Sequence, residues 1–196
     1  MNVASLLDFG DIRTSKSPFH YFVSPAAFRE ATADRILSWF KSDAPWRLVE
    51  TDFYEQYEFS LIDSHLPNRL SLLIDKPLVC HLKNLVAAQL CTKFHDEVEI
   101  TAHRLTSGQS IRIHNDVIEN GETHRLIVHI NAGWAEQHGG LFVIFNTSDP
   151  LSICKLLKPL HNSAIGFAIS ENSNHAVSKV YDHTRFSLVY SFKVID

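Results

Sequence analysis

Residues 97–194 never sustain a helical period. They break instead into eight short segments of alternating apolar and polar residues: 97–105, 110–116, 123–131, 141–146, 151–157, 164–169, 175–181 and 185–194. Turn-forming residues lie between them, including Ser107-Gly108, Asn120-Gly121, Gly139-Gly140 and Asp149-Pro150. A period of two marks strands with one face buried. So many short strands in succession must close on themselves or pair off as two sheets to cover their apolar faces. The expected core is a double-stranded β-helix, or jelly roll.

The first half has a different character. "SPAAFREATADRILSWF" (24–40) predicts a helix, with Ser24 as N-cap, Pro25 at the first helical position and Phe28, Ala31, Arg35 or Ile36, and Trp39 on one face. A second helical stretch is expected over 67–94, restarted by Pro77. Between them, "WRLVETDFYEQYEFSL" alternates as one or two strands, and its acidic and aromatic part is either a solvated strand or part of a lid over a substrate. The fold class is therefore α+β. A single domain is expected over 1–196, with 1–96 a mainly helical support region packed on the outside and 97–196 the jelly-roll core.

Composition narrows function. The formal net charge is -4 and the aromatic content 11%, so no basic field draws in nucleic acid or an anionic membrane. No apolar run approaches the roughly 20 residues needed to span a bilayer. The opening "MNVASLLDFGDIRTS" lacks a basic stretch followed by a long apolar one, so no secretion signal is expected. Cys80, Cys91 and Cys154 lack C-x-x-C spacing and are expected as free thiols and inert small hydrophobes in a cytoplasmic protein.

Strand alternation then sorts side chains by face. Arg112, His114 and Asp116 share one face; Arg125, Ile127 and His129 share another; Arg185, Ser187, Val189 and Ser191 share a third. The opposite faces are apolar, notably Phe186, Leu188, Tyr190 and Phe192. A histidine and a carboxylate two residues apart can be neighbouring ligands of one metal ion or a wet surface pair. Two histidines and one carboxylate with open positions suit non-haem iron(II). His161, His175 and His183 are candidates for the further ligand, and "HDE" at 95–97 is a rival histidine–carboxylate pair.

Three stretches carry a resemblance: "GQSIRIHND" (108–116), "RLIVHINAGWAEQHGGLFVIF" (125–145) and "NHAVSKVYDHTRFSLVYSF" (174–192). Their order resembles that of the 2-oxoglutarate- and iron(II)-dependent oxygenases, in particular the prolyl-hydroxylase-like branch. The resemblance implies iron(II), 2-oxoglutarate and dioxygen as cofactor and cosubstrates. It implies His114, Asp116 and His175 as metal ligands, and Arg185 as the partner of the distal carboxylate of 2-oxoglutarate, with Ser187 beside it. A guanidinium suits that task because it is always charged and grips a carboxylate bidentately. Asn131, Trp134, Gly139 and Gly140 match a block taken as turn and packing residues, and Gly108 a glycine before H-x-D. The family's usual tyrosine before H-x-D is missing from "AHRLTSG", and His129 and Arg125 stand where Tyr and Thr are common. Either the cosubstrate pocket is rebuilt around His129, or Arg125 meets an acidic substrate.

A carboxylate at Asp116 favours hydroxylation over halogenation. The expected reaction is hydroxylation of a C–H bond in an amino-acid residue of a peptide or protein, with a free amino acid or small metabolite as the alternative. A metal-binding jelly-roll module without turnover is the alternative of another class. Arg185 separates the two, because a plain metal-binding barrel has no use for it. Oligomeric state is left open.

Overall fold

The computed structural model describes residues 6–195. Two antiparallel sheets face each other. The strands are β1 (Arg13–Ser15), β2 (Tyr21–Ser24), β3 (Arg47–Glu50), β4 (Glu55–Ser60), β5 (Phe94–Leu105), β6 (Ile111–His114), β7 (His124–His129), β8 (Phe142–Phe145), β9 (Ile153–Leu157), β10 (Ala164–Ala168), β11 (His175–Val177) and β12 (Arg185–Val194). The large sheet runs β1-β2-β10-β7-β12-β5-β4-β3, and the small one β6-β11-β8-β9. All eight alternating segments of the second half are strands, divided four to each sheet as a jelly roll requires.

Residues 1–96 supply both helices, α1 (Glu30–Ser42) and α2 (Lys76–Leu90), but also four strands. β1 and β2 extend one edge of the large sheet, and β3 and β4 the other. The support region is thus as much sheet extension as helix.

Helix α1 begins later than its sequence suggests. Ser24 is the last residue of β2, paired with Ala164 on β10, and its hydroxyl donates to the Ala26 carbonyl at 2.7 Å. The helix starts instead after Arg29, without a side-chain cap. Ser-Pro is a good local start signal, but long-range pairing with β10 takes the serine first. Of the helical stretch expected over 67–94, α2 takes only Lys76–Leu90: Ser71–Ile74 is a short 3-10 turn, Pro77 stands in the first turn of α2, Cys91, at φ 56°, ends it, and Phe94 already belongs to β5. Its Leu78, Leu82, Val86 and Leu90 are buried at four-residue spacing.

Both helices cover the outer face of the large sheet. Trp39, Phe40, Trp46, Phe59 and Phe186 form one aromatic cluster with ring centroids 4.9–6.3 Å apart. Leu188, Tyr190 and Phe192 of β12 and Leu126 and Val128 of β7 complete that layer. The Tyr190 hydroxyl donates to the Leu73 carbonyl at 3.1 Å, so its burial leaves no unmet polar group. Between the sheets, Phe142, Ile144 and Val177 pack on Ile165, Phe167 and Val189. Where that second core stops, a cavity opens. The three cysteines are free, as expected, but exposed rather than packed.

Candidate active site

The cavity, about 380 Å³, lies between the sheets and is lined by the polar faces of β12, β7 and β5 together with β4, β6 and β11. Arg185, Ser187, Val189 and Ser191 all line it, so the alternation of β12 separates cavity from helix-facing core as expected.

His114 ends β6 and His175 begins β11, and the two residues are direct partners across those strands. Their rings lie 4.2 Å apart between centroids. His114 Nδ1 donates to the Arg112 carbonyl at 2.9 Å, and His175 Nδ1 to the Ser173 carbonyl at 2.7 Å. A carbonyl can only accept, so the Nδ1 of each ring carries the proton. In the neutral rings, Nε2 is left as a lone pair. Both lone pairs point at Asp116: His114 Nε2 lies 3.3 Å from Oδ1 and His175 Nε2 3.3 Å from Oδ2.

Asp116 does not reach this position by strand alternation, because β6 stops at His114. Its φ of 64° places it in the left-handed region, which turns the carboxylate back over the two imidazoles. Ser173, fully buried, fastens the turn: its hydroxyl donates to the Asn115 carbonyl at 2.7 Å, while its own carbonyl holds His175. Phe53 lies against the His114 ring and Phe142 stacks on that of His175.

The donor set fits a metal ion. One ligand atom from each of the three residues lies within 4.8 Å of the others. Two imidazole lone pairs face an anion, and Asp116 Oδ2 is buried without a hydrogen-bond donor. Acceptors gathered in this way repel one another until a cation joins them. Burial alone would raise the Asp116 pKa, but His175 and His114 when protonated, together with Arg125, hold it well below the usual range. Burial lowers that of His175 although Asp116 opposes it, which favours the neutral, ligating imidazole.

Arg185 is the second unsatisfied feature. It is 5% exposed, and no carboxylate among the described residues pairs with it. Nε donates to the Gly140 carbonyl at 2.9 Å and Nη1 to Ser187 Oγ at 3.0 Å, and Nη2 lies 3.4 Å from His129 Nδ1. Burial lowers its pKa to about 10, which leaves it charged at neutral pH. A buried cation without a counter-ion suits an anionic ligand. His129 sits beside this guanidinium, neutral because burial and Arg185 push its pKa well below the ordinary value. Arg125 lines the cavity elsewhere and is already spent: Nη1 is 2.8 Å from Asp116 Oδ1 and Nη2 2.6 Å from Glu122. Both terminal nitrogens of its guanidinium thus face carboxylates of the chain, while its Nε is buried without an acceptor.

The glycine pair is required by space. A side chain on Gly139, at φ 61°, would lie 2.1 Å from the Lys179 carbonyl, and one on Gly140, at φ 66°, 3.0 Å from Arg185 Cδ. Asn131 accepts from the Phe186 amide at 2.7 Å and Trp134 donates to the Gly139 carbonyl at 2.8 Å, so this block frames the arginine. The remaining candidates lie elsewhere. His161 pairs with Asp34, His183 stacks on His138, and residues 95–97 are exposed on β5. Sequence reasoning did not single out Ser173, nor assign Tyr54, Gln56, Glu58 and Glu99 to the cavity wall. Alternation in 46–61 marks one face of β4, but nothing local says what covers it.

No curated protein matches the chain. Solved structures do. A Pseudomonas putida prolyl-4-hydroxylase superposes with TM-score 0.71 at 16% identity over 90% of this chain and 93% of its own. A viral collagen prolyl hydroxylase from Paramecium Bursaria Chlorella virus-1, solved as a 2OG complex, gives 0.63 at 13% over 89% and 96%. A Trichoplax adhaerens prolyl hydroxylase in complex with a hypoxia inducible factor peptide fragment gives 0.65 at 12% over 83% and 77%. Residues 100–193, which contain both histidines, Asp116 and Arg185, match the family described as the 2OG-Fe(II) oxygenase superfamily. Residues 100–193 thus form a domain of the 2OG-Fe(II) oxygenase family, whose members are dioxygenases that use iron(II) and 2-oxoglutarate, and the chain as a whole carries the fold of prolyl hydroxylases.

Proposed function

We propose that His114, Asp116 and His175 hold the iron(II), that Arg185 with Ser187 holds the distal carboxylate of 2-oxoglutarate, and that the enzyme hydroxylates a C–H bond of an amino-acid residue in a peptide or protein. One observation carries the reading: a cluster of metal-type acceptors and a buried, unpaired guanidinium share one cavity. When bound, iron(II) supplies oxygen activation coupled to decarboxylation of 2-oxoglutarate to succinate.

The chain's own residues bind and orient. The Arg112 and Ser173 carbonyls fix the tautomers of both histidines. Arg125 grips Asp116 so that the carboxylate stays turned toward the metal position. Gly140, Ser187 and His129 set the Arg185 fork at a fixed depth, which defines where the cosubstrate ends. Because Asp116 occupies a ligand position, halide has no place, and hydroxylation is favoured.

A peptide substrate is supported by the prolyl hydroxylase of Trichoplax adhaerens, described with a peptide fragment, and by the viral collagen prolyl hydroxylase. It also fits a cavity rim that carries the exposed apolar residues Val117 and Ile118. The unpaired cysteines fit a reducing compartment such as the cytoplasm, and no helix among the described residues is long and apolar enough to cross a membrane.

The test is succinate release from the iron-loaded enzyme, with peptide libraries set against free amino acids. The expected result is peptide-stimulated turnover with a mass gain of one oxygen on the peptide. Stimulation by free amino acids alone would move the assignment to a metabolite hydroxylase.

A further inference from the structure

The two sheets are covered unequally. Both helices pack on the large sheet, and no helix residue joins the apolar row on the outer face of the small one. Phe142 and Ile144 of β8 point into the core between the sheets, so Val143 and Phe145 point outward. Val143 is opposite Ala176 on β11 and Leu156 on β9, and Ile113 of β6 packs on the same cluster. The row is closed at its centre, where Val143 is 6% exposed, and opens at its β9 end, where Leu156 is 53% exposed.

A strand at the end of a sheet invites pairing unless charge, proline or a covering segment blunts it. Three of the four sheet ends are blunted. β1 is wholly polar, and β3 begins at Arg47 and ends at Glu50. β6 is covered by the turn before β4: Tyr54 bridges to Ile111, and the Phe53 carbonyl accepts from the Arg112 amide at 3.0 Å. β9, "ICKLL", pairs among the described residues with β8 alone. Its one charge does not guard the outer face. Lys155 is opposite the inward-facing Ile144, and its Nζ lies 5.6 Å from the centroid of the Tyr21 ring in the core between the sheets.

A register shift concentrates the apolar groups. Ile153 and Leu156 are three residues apart and would point to opposite faces of a regular strand. The shift between Ile144 and Phe145 sets Ile153 opposite Phe145 and Leu156 opposite Val143, so both face outward. Ile153 is 54% exposed, and Leu151, in the turn that leads into β9, is 92% exposed. Asp149, at the start of that turn, is engaged by the Leu151 amide, which donates to its Oδ1 at 2.8 Å. A contiguous exposed apolar surface marks contact with another molecule. This one matches itself. Turned about a two-fold axis, with β9 antiparallel to its copy, it sets Ile153 against Leu156 and Leu156 against Ile153, and no like charges meet. Half of each of these side chains, nearly all of Leu151 and the free strand edge offer on the order of 500 Å² per copy, about 1,000 Å² in all, which is where specific interfaces begin.

We infer that two copies of this chain associate about a two-fold axis at the β9 edge of the small sheet, with Ile153 and Leu156 of each buried against Leu156 and Ile153 of the other and Leu151 flanking them. An interface of that area is reversible, so the dimer forms and dissociates in the micromolar range. The inference stands apart from the proposed activity, because none of the three residues lines the cavity.

The test is sedimentation equilibrium on the full chain from low to several hundred micromolar. The mass should rise with concentration from that of one chain toward that of two and stop there. Leu156→Glu and Ile153→Glu should each weaken association at least about tenfold, because each sets an unpaired carboxylate against an apolar group. Leu151→Ser should weaken it severalfold, and at so exposed a position it leaves the fold intact. The thermal midpoint of each variant, measured where the protein is a single chain, should match that of the unaltered protein. Ile118→Glu, on the cavity rim, should leave association unchanged. A mass that stays at one chain up to the highest concentration overturns the inference and leaves the patch to a different protein. Growth beyond two copies overturns the two-fold pairing. A dimer that resists Leu156→Glu, Ile153→Glu and Leu151→Ser, or that Ile118→Glu dissolves, is built on another surface and overturns it as well.

Discussion

Strand β12 has two faces with opposite duties. Phe186, Leu188, Tyr190 and Phe192 lie in the core under the helices, while Arg185, Ser187, Val189 and Ser191 line the cavity, and all eight are buried. Burial alone therefore does not distinguish them. On the helix side of this strand the only side-chain polar atom, the Tyr190 hydroxyl, is matched, although Arg104 Nε on neighbouring β5 is not. On the cavity side the groups are held in place but left incomplete: Arg185 lacks an anion, Asp116 Oδ2 a donor and Gln56 Oε1 a donor. The contrast teaches that a site can be recognised by what the fold leaves unsatisfied, because each such group costs stability and is complete only with a ligand.

The contrast breaks most visibly at the metal position. His175→Ala or His114→Ala should abolish iron binding and turnover, while the thermal midpoint of the metal-free protein falls little. Calorimetry beside metal analysis checks both. Phe192→Ala, on the other face, should do the converse, costing about 3–5 kcal/mol of stability by denaturant titration with cosubstrate affinity retained in the folded fraction. Arg185→Ala should weaken 2-oxoglutarate by about 2–5 kcal/mol, the range for removing one partner of a charge pair. It should not lower the stability of the cosubstrate-free protein, since an unpaired buried cation goes with it. Unchanged cosubstrate dependence in that variant would remove Arg185 from the site. Gly140→Ala should have a smaller effect of the same kind, about tenfold in KM for 2-oxoglutarate, because its new methyl crowds Arg185 Cδ.

The smallest effect expected is on acid stability. Burial lowers the His124 pKa from 6.5 to about 4, with His20 adding to the shift, and that of His129 falls well below 6.5. The unfolded chain therefore takes up protons first as the pH falls. The stability these neutral histidines contribute is full above about pH 6.5 and is lost on the way down toward pH 4, at up to about 1.4 kcal/mol per unit for each group. Denaturant titrations between pH 7 and pH 4.5 should show that decline, and His124→Gln should flatten it.

Much of this contrast was legible in the sequence. Strands half buried in an antiparallel sheet must alternate, so β7 and β12 announce both faces locally. Three features were set by longer-range structure. Asp116 reaches the histidines through a left-handed turn, which its residue type permits but does not demand. Ser24 is taken by β10 before it can cap a helix. The acidic stretch of β4 becomes a cavity wall only because β4 pairs with β5, and no spacing within 46–61 specifies that neighbour.

The central claim is that two imidazoles and one carboxylate, from two strand ends and a left-handed turn, share a single metal ion. Anaerobic titration of iron(II) into the protein with 2-oxoglutarate, followed by the visible chelate band, tests it most directly. One equivalent should saturate the band in the unaltered protein, and the band should vanish in His175→Ala. A band that persists without His175, or one that never forms although iron is bound, would contradict the account.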